Sequence, residues 1–218
     1  MKEYEKIETI YARDTEGTKK LIYGEFRDKT VEFLRWNNWI WTEKIDGTNI
    51  RVEWDGHAFN FSGRTDNAVI PDHLLERLRE IFLNTSTEEI VEQLFGEKHV
   101  VFYGEGYGCK IQNGGDYITN KQTNEDCDFI VFDIEVDGLY LERKNVEEIC
   151  KALGLKVVPI VGNGNLIDAV VYVKEHHNSK LGAGLHPMEG IVCRPEYELK
   201  DRRGKRLIVK IKWEDFRD

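Results

Sequence analysis

Three lysines in this chain occupy positions where an ammonium group can do chemistry. Lys44 stands between Glu43 and the polar turn Asp46-Gly47-Thr48-Asn49, with Trp39, Ile40 and Trp41 crowding in ahead of it. An ammonium group at the mouth of a buried site loses hydration unless something pairs with it. The same desolvation makes the neutral amine available as a nucleophile. Gly47 permits close approach of backbone to a ligand, and Asn49 can supply a short polar contact. A surface lysine beside an Asp-Gly hairpin turn is the plain alternative, and Lys-x-Asp-Gly alone favours it. Lys210 and Lys212, in LIVKIK, are two apart on an apolar strand and so point to one face. Two like charges on one buried strand face cost energy unless an anion sits there.

Other polar residues sit where strands end. Lys98 to Glu105 (KHVVFYGE) is a mostly apolar strand closing on a carboxylate, followed by Gly106 and Gly108. That is where open α/β sheets place ligand-binding groups. Arg64, in Ser62-Gly63-Arg64, follows a hairpin and could reach a phosphate or a sugar, or lie on the surface. Phe132, within DFIVFDIEV, could be core or could stack on a planar ligand, and core is the default for a strand phenylalanine. Glu189 opens the strand EGIVCR, and a loop running to Asp126 carries Lys110, Gln112 and Gly114-Gly115. The run KDRRGKR, Lys200 to Arg206, holds five basic residues against one acidic, either a solvated hairpin tip or a local phosphate footprint.

The elements that must position these groups follow from periodicity. Strands are expected at Trp39 to Lys44, Asn49 to Trp54, His57 to Phe61, Lys98 to Glu105, Asp128 to Val136, Lys156 to Ile160, Glu189 to Arg194 and Leu207 to Lys212. Helices are expected over Pro71 to Leu83, from a cap at Ser86 or Thr87 to Phe95, over Arg143 to Leu153, and over Leu166 to His176. The first 36 residues show no single period; a short strand and a helix near Thr30 to Arg35 are expected there. With no repeat, low-complexity segment or linker, residues 1–218 are read as a single domain.

Composition sets outer bounds. The 218 residues are 40% hydrophobic and 33% charged, ordinary for a globular protein with a substantial core. The net charge of −9 speaks against nonspecific nucleic-acid binding, though the basic run qualifies that. Cys109, Cys127, Cys150 and Cys193 form no Cys-x-x-Cys pair, which argues against a zinc site and for a reducing, cytoplasmic setting. His176-His177 lacks further ligands at metal spacing. No apolar run approaches membrane-spanning length and the charged start is unlike a signal peptide, so no membrane association is expected.

Taken in order, KIDG at Lys44, SGR at Arg64, YGE at Glu105, VFDI at Phe132, EGIV at Glu189 and KIK at Lys210 closely resemble the covalent nucleotidyltransferases, the superfamily of polynucleotide ligases and RNA capping enzymes. EKIDGTN and the compact spacing look most like the RNA ligase 2 family. The resemblance implies an α+β nucleotidyltransferase domain, an ATP-grasp-like ligase adenylation fold of antiparallel sheets flanked by helices with a central nucleotide cleft. It implies an ATP-dependent RNA ligase joining 5′-phosphate and 3′-hydroxyl ends through lysyl-AMP and RNA-adenylate. Lys44 would take AMP from ATP, with Lys210 and Lys212 holding the α-phosphate. Glu105 would accept from a ribose hydroxyl and Phe132 would stack on adenine. Arg64 and Asn49 would contact ribose, phosphate or metal-bound water, and Glu43, Asp46 and Gly47 would complete the nucleotide site. Glu189 would bind Mg2+, for which Mn2+ would substitute.

The family usually continues past the last lysine into a further nucleic-acid-gripping domain, whereas only Trp213 to Asp218 follow here. Lys110, Arg202, Arg203 and Lys205 are therefore the expected contacts to RNA ends or a nicked duplex, with a separate RNA-binding or end-healing partner as another route. A DNA nick-sealing ligase and a catalytically idle nucleotide-binding module of the same fold are the rival readings.

Overall fold

The computed structural model describes residues 3–112, 117, 126–181 and 186–217; Gly114 and Gly115 of the long loop lie outside them. In chain order its elements are β1 (Glu8–Thr9), β2 (Tyr11–Arg13), β3 (Leu21–Phe26), α1 (Lys29–Phe33), β4 (Trp39–Lys44), β5 (Thr48–Trp54), β6 (Phe59–Ser62), α2 (Asp72–Phe82), α3 (Thr85–Phe95), β7 (Val100–Gly108), β8 (Cys127–Val136), β9 (Leu139–Tyr140), α4 (Arg143–Ala152), β10 (Lys156–Val157), β11 (Ile160–Gly164), α5 (Leu166–Lys174), β12 (Gly190–Pro195) and β13 (Val209–Lys212), with a closing 3-10 turn at Trp213–Phe216. They divide into two compact units, Met1–Tyr4 with Asp46–Val158, and Glu5–Ile45 with Pro159–Asp218.

The lysine-bearing unit is built on a five-stranded sheet in the order β1-β13-β12-β4-β11. Strand alternation sends Trp39 and Trp41 to the same face as Ile191, Cys193, Val209 and Ile211, where they pack with Leu166, Ala169, Val170 and Val173 of α5 in one buried cluster. Each such side chain contributes about 1.5–3 kcal/mol on burial. The apolar face is thereby used up, and the residues between, Thr42, Lys44, Lys210 and Lys212, are left for the other face. β13 is internal, flanked by β1 and β12, as its apolar content requires.

The second unit is a sheet in the order β10-β8-β7-β5-β6, with β9 on the edge of β8. Ile50, Val52, Trp54, Phe102, Val131 and Ile134 cover one face and pack with Leu74, Leu78 and Phe82 of α2, Val91 of α3, and Val146 and Cys150 of α4. Gly104 and Gly106 face the same core: a Cβ at Gly104 would lie 2.4 Å from the Phe129 ring, and one at Gly106 2.4 Å from Leu74. The register of β7 on β8 shifts between Tyr103, which faces Asp133, and Gly104, which faces Val131. Phe132 is the extra residue of that bulge.

Three expectations are corrected. Lys156 to Ile160 is not one strand: Val158 donates to the carbonyl of Val131, and Pro159, without an N–H, ends that ladder. The Pro159 carbonyl then accepts from Glu43 (2.9 Å), and Ile160–Gly164 joins the other sheet as β11. The cap of α3 is Asn84, whose side chain accepts from the Thr87 backbone at 3.0 Å, rather than Ser86 or Thr87. The first 36 residues hold three short strands and α1; Asp28 caps that helix by accepting from the N–H groups of Thr30 and Val31.

All four cysteines are free thiols; burial pushes Cys127 up to about 11 and Cys150 to about 12. Among the described residues no helix is long and apolar enough to cross a membrane.

Arg51 is a fully buried cation on β5, on the face away from the helices. It donates to the Gly63 carbonyl (Nε, 2.8 Å) and to Asp66 (2.8 Å), tying down the segment that carries Arg64. Arg51→Met should cost about 1–3 kcal/mol in urea unfolding, through the carbonyl left unsatisfied. It should also expose residues 63–68 to faster amide exchange. Asn84→Ala should cost about 1 kcal/mol through loss of the helix cap, with an unchanged m-value.

Candidate active site

On the sheet of the lysine-bearing unit, Lys44 lies opposite Gly190, and Gly190 lies opposite Lys212. One row across three strands therefore reads Lys44, Gly190, Lys212, and the next along it reads Thr42, Val192, Lys210. All three lysines face the side not covered by α5. Glu189, just ahead of Gly190, accepts from Lys44 at 2.6 Å and pairs with Lys212 at 3.2 Å. Lys212 also pairs with Glu214, which holds Lys212 above its ordinary value against the opposing effect of burial.

Lys210 is the spare cation. It makes no ion pair among the described residues, and burial, then Lys44 and Lys212, push its pKa below the ordinary lysine value. A doubly or triply charged anion placed on this face would reverse that penalty. The glycine in the middle of the row is obligatory, because a Cβ at Gly190 would lie 2.1 Å from the Ile211 carbonyl oxygen. Position 190 therefore adds no side chain to the row between Lys44 and Lys212, and the carboxylate that bridges them comes from Glu189.

The second unit presents its own set on the face away from the helices. Asn49 pairs with Glu105 across β5 and β7, and both are half-buried. The bulge turns Phe132 off the core face: it is half-buried and meets Tyr4 edge-on with ring centroids 4.9 Å apart. Tyr4 also packs against Tyr103 and donates to Asp133 at 2.8 Å. Asn49 Oδ1 is buried with no hydrogen-bond partner among the described residues, a group that costs about 1–3 kcal/mol until something donates to it. An unsatisfied acceptor opposite a carboxylate, on a sheet face that also carries an aromatic ring, fits a nucleoside, which brings hydroxyl donors and a flat base.

The remaining expected residues fall in several places. Glu43 is 1% exposed on the face opposite Lys44; its carboxylate accepts from the Ser179 hydroxyl and, at 2.8 Å, from the Lys180 N–H. Burial raises its pKa against those hydrogen bonds. Asp46 donates its backbone N–H to the Tyr117 hydroxyl at 3.0 Å. Gly47 passes so close to β7 that a Cβ would lie 2.3 Å from the Gly106 carbonyl oxygen. Arg64 is exposed, and Lys110 is exposed in the left-handed region at φ 59°. Arg202, Arg203 and Lys205 are exposed on a turn that Asp201 organises by accepting from the N–H groups of Arg203 (2.8 Å) and Lys205 (2.9 Å). Arg206 does not share that exposure; it is buried and paired with Glu198. Among the described residues no group of three or more His, Cys, Asp or Glu side chains could hold a metal ion.

Sequence reasoning missed Arg51, Tyr4 and Tyr117, which support these groups from behind. Only Arg51 left a signal, as the one charge flanked by Ile50 and Val52 in an alternating strand.

The sequence profile of the RNA ligase family matches residues 37–212, a span that contains Lys44, Glu105, Glu189, Lys210 and Lys212. Among curated proteins none matches. Among solved structures, a mutant of Naegleria gruberi RNA ligase with ATP and Mn is similar at TM-score 0.62 and 17% identity, covering 84% of this chain and 51% of that one. A second mutant with ATP and Mn gives 0.62 and 19% over 87% of this chain and 55% of that one. A third, with AMP and Mn, gives 0.60 and 17% over 84% and 52%. This chain thus spans about half the length of the Naegleria chains. At that identity the structures show a common α+β nucleotidyltransferase fold, and the extent of the profile match shows descent: the chain belongs to the RNA ligase family.

Proposed function

We propose that this chain is the adenylyl-transfer core of an ATP-dependent RNA ligase. The observation that carries the reading is the sheet face where Lys44, Lys210 and Lys212 gather around Glu189, in a chain of the RNA ligase family. The amine of Lys44, once deprotonated, attacks the α-phosphorus of ATP. An N–P bond forms, the bond to the bridging oxygen of the β-phosphate breaks, and pyrophosphate leaves. AMP then passes to the 5′-phosphate of an RNA end, and a 3′-hydroxyl displaces AMP as the phosphodiester forms. Lys210 and Lys212 stabilise negative charge on the transferring phosphoryl group, and an anion there suits Lys210 in particular. Chemistry of this kind is mostly positioning and electrostatics, so lysines and carboxylates suffice without a catalytic histidine.

On the other unit, Glu105 accepts from a ribose hydroxyl, Phe132 stacks on adenine, and Asn49 receives a donor for its unsatisfied oxygen. Arg64 and the backbone at Asp46 and Gly47 line the nucleotide's path. The Naegleria structures carry ATP or AMP with Mn, and the reading extends a nucleotide and a divalent ion to this chain. Glu189 is the hard oxygen ligand for Mg2+, or Mn2+ in its place; when bound, the ion neutralises phosphate oxygens. A site with one protein carboxylate suits an ion that keeps waters and phosphate oxygens as its other ligands. RNA ends or a nicked duplex are the substrate, gripped through Lys110, Arg202, Arg203 and Lys205 or through a separate RNA-binding or end-healing partner. A cytoplasmic setting is part of the reading, in keeping with four free thiols of which Cys127, Cys150 and Cys193 are buried.

Incubation with α-labelled ATP and Mg2+, then a denaturing gel, tests the reading. Label should stay on the wild-type chain and be absent from Lys44→Ala, and Lys210→Ala or Lys212→Ala should slow labelling by about 100-fold. Label on the Lys44→Ala chain would overturn the assignment. Charge reversal at Arg202, Arg203 and Lys205 should impair sealing of a nicked RNA duplex while leaving self-adenylylation nearly intact; equal loss of both steps would remove those residues from the RNA contact.

A further inference from the structure

The lysine-bearing unit carries a cavity of about 410 Å³ whose walls come from the β2–β3 hairpin, the end of α5 and the closing turn. Its charged lining is Arg13, Lys19, Lys20, Lys174 and Arg217 against Glu214 and Asp215. Both carboxylates are already engaged, Asp215 by Arg13 and Glu214 by Lys212. Lys19, Lys20, Lys174 and Arg217 make no ion pair among the described residues. Four cations without an ion pair around one hollow, of which only Arg217 shares the field of Glu214, make a local anion site in a chain of net charge −9.

The hollow is also built. Asp14 organises the hairpin tip by accepting from the N–H groups of Glu16 (3.2 Å), Gly17 (2.9 Å) and Thr18 (2.8 Å), which fixes the approach to Lys19 in its left-handed conformation. Arg13 donates to the Lys19 carbonyl at 3.3 Å as well as to Asp215, joining the hairpin to the closing turn. The wall holds an aromatic ring that the core does not absorb. Tyr23 is 63% exposed, touched edge-on by Tyr11 and Phe216, with the Lys174 ammonium 5.2 Å from its centroid. Glu214 both lines this cavity and pairs with Lys212, so the hollow adjoins the lysine face through a shared residue.

An exposed ring among unpaired cations is the combination that binds single-stranded nucleic acid: cations track phosphates and the ring offers a stacking platform. We propose that this cavity is a subsite for a single-stranded segment of the RNA substrate, with Lys19, Lys20 and Arg217 on phosphates and Tyr23 under a base. The assignment of the strand as substrate rests on the ligase reading; binding itself does not. The cavity has room for a nucleotide, within the range of small-ligand pockets.

The test is fluorescence anisotropy of a labelled 12-nucleotide oligouridylate with the full chain across a salt series, with self-adenylylation measured alongside. Lys19→Gln with Lys20→Gln should weaken binding by at least tenfold and make the slope of log affinity against log salt shallower by about 1.4. Tyr23→Ala should weaken it by about fivefold or more, and Tyr23→Phe should restore it. Self-adenylylation should stay at the wild-type rate in each, which also shows that the variants fold. Unchanged RNA affinity in variants that still self-adenylylate overturns this proposal and leaves the ligase reading standing. Wild-type protein that binds RNA here but never labels itself would overturn the ligase reading alone. Equal weakening for heparin and for RNA, with no effect of Tyr23→Ala, would reduce the cavity to a polyanion patch and overturn the strand assignment.

Discussion

Mutual repulsion of three ammonium groups on one sheet face is the constraint from which the lysine-bearing unit follows. Lys44, Lys210 and Lys212 share that face because their apolar neighbours on β4 and β13 are committed to α5. Two carboxylates, Glu189 and Glu214, offset three cations, and the deficit falls on Lys210, whose charged form burial and its neighbours disfavour. A folded protein accepts such a residue where its charge is needed later, when an anion arrives. The same crowding explains why Glu189 reaches two lysines: a carboxylate serving only one would leave the other uncompensated beside it.

Backbone proximity is the complementary constraint. Gly190 lets β12 run between the two lysine strands with no side chain of its own in the row of Lys44 and Lys212. In the other unit Gly47 brings the turn at the start of β5 against the Gly106 carbonyl of β7. On β8 of that unit an added residue rather than a missing side chain does the work. The bulge at Phe132 breaks the alternation that would have buried its ring, and the aromatic cluster of Tyr4, Tyr103 and Tyr140 receives it on the Asn49 and Glu105 face.

These devices mark what could be read from the amino-acid order. β4, β5 and β13 were legible as strands, and β13 with its face, because its apolar and charged residues alternate. The common face of Lys210 and Lys212 followed from that alone. Phe132 left both readings open, since a bulge is a mismatch between two strands and no feature of DFIVFDIEV announces it. The break at Pro159 was missed because the apolar run KVVPI continues through it, although the proline cannot serve both ladders. Arg206 looked like one more surface cation in a basic run; its partner Glu198 lies across the turn, and burial depends on that pairing. Local patterns disclosed which face a residue takes, and long-range partners decided which charges are spent.

The distinction between spent and unspent charge reconciles an acidic protein with the polyanionic substrate proposed for it. A net charge of −9 repels RNA at long range, but beyond about 8–10 Å that field is screened at physiological salt. Inside that distance local cations decide. Arg13, Arg51, Lys156 and Arg206 are held by carboxylates and serve the fold. Among the described cations without an ion pair are Arg202, Arg203 and Lys205 on one turn, Lys210, and Lys19, Lys20, Lys174 and Arg217 around the hollow. Because the body's field opposes approach while these groups attract, the proposed affinity for RNA would be confined to strands laid along them. Discrimination by placement of this kind is available to an acidic chain and lost to a uniformly basic one, on which any strand would settle.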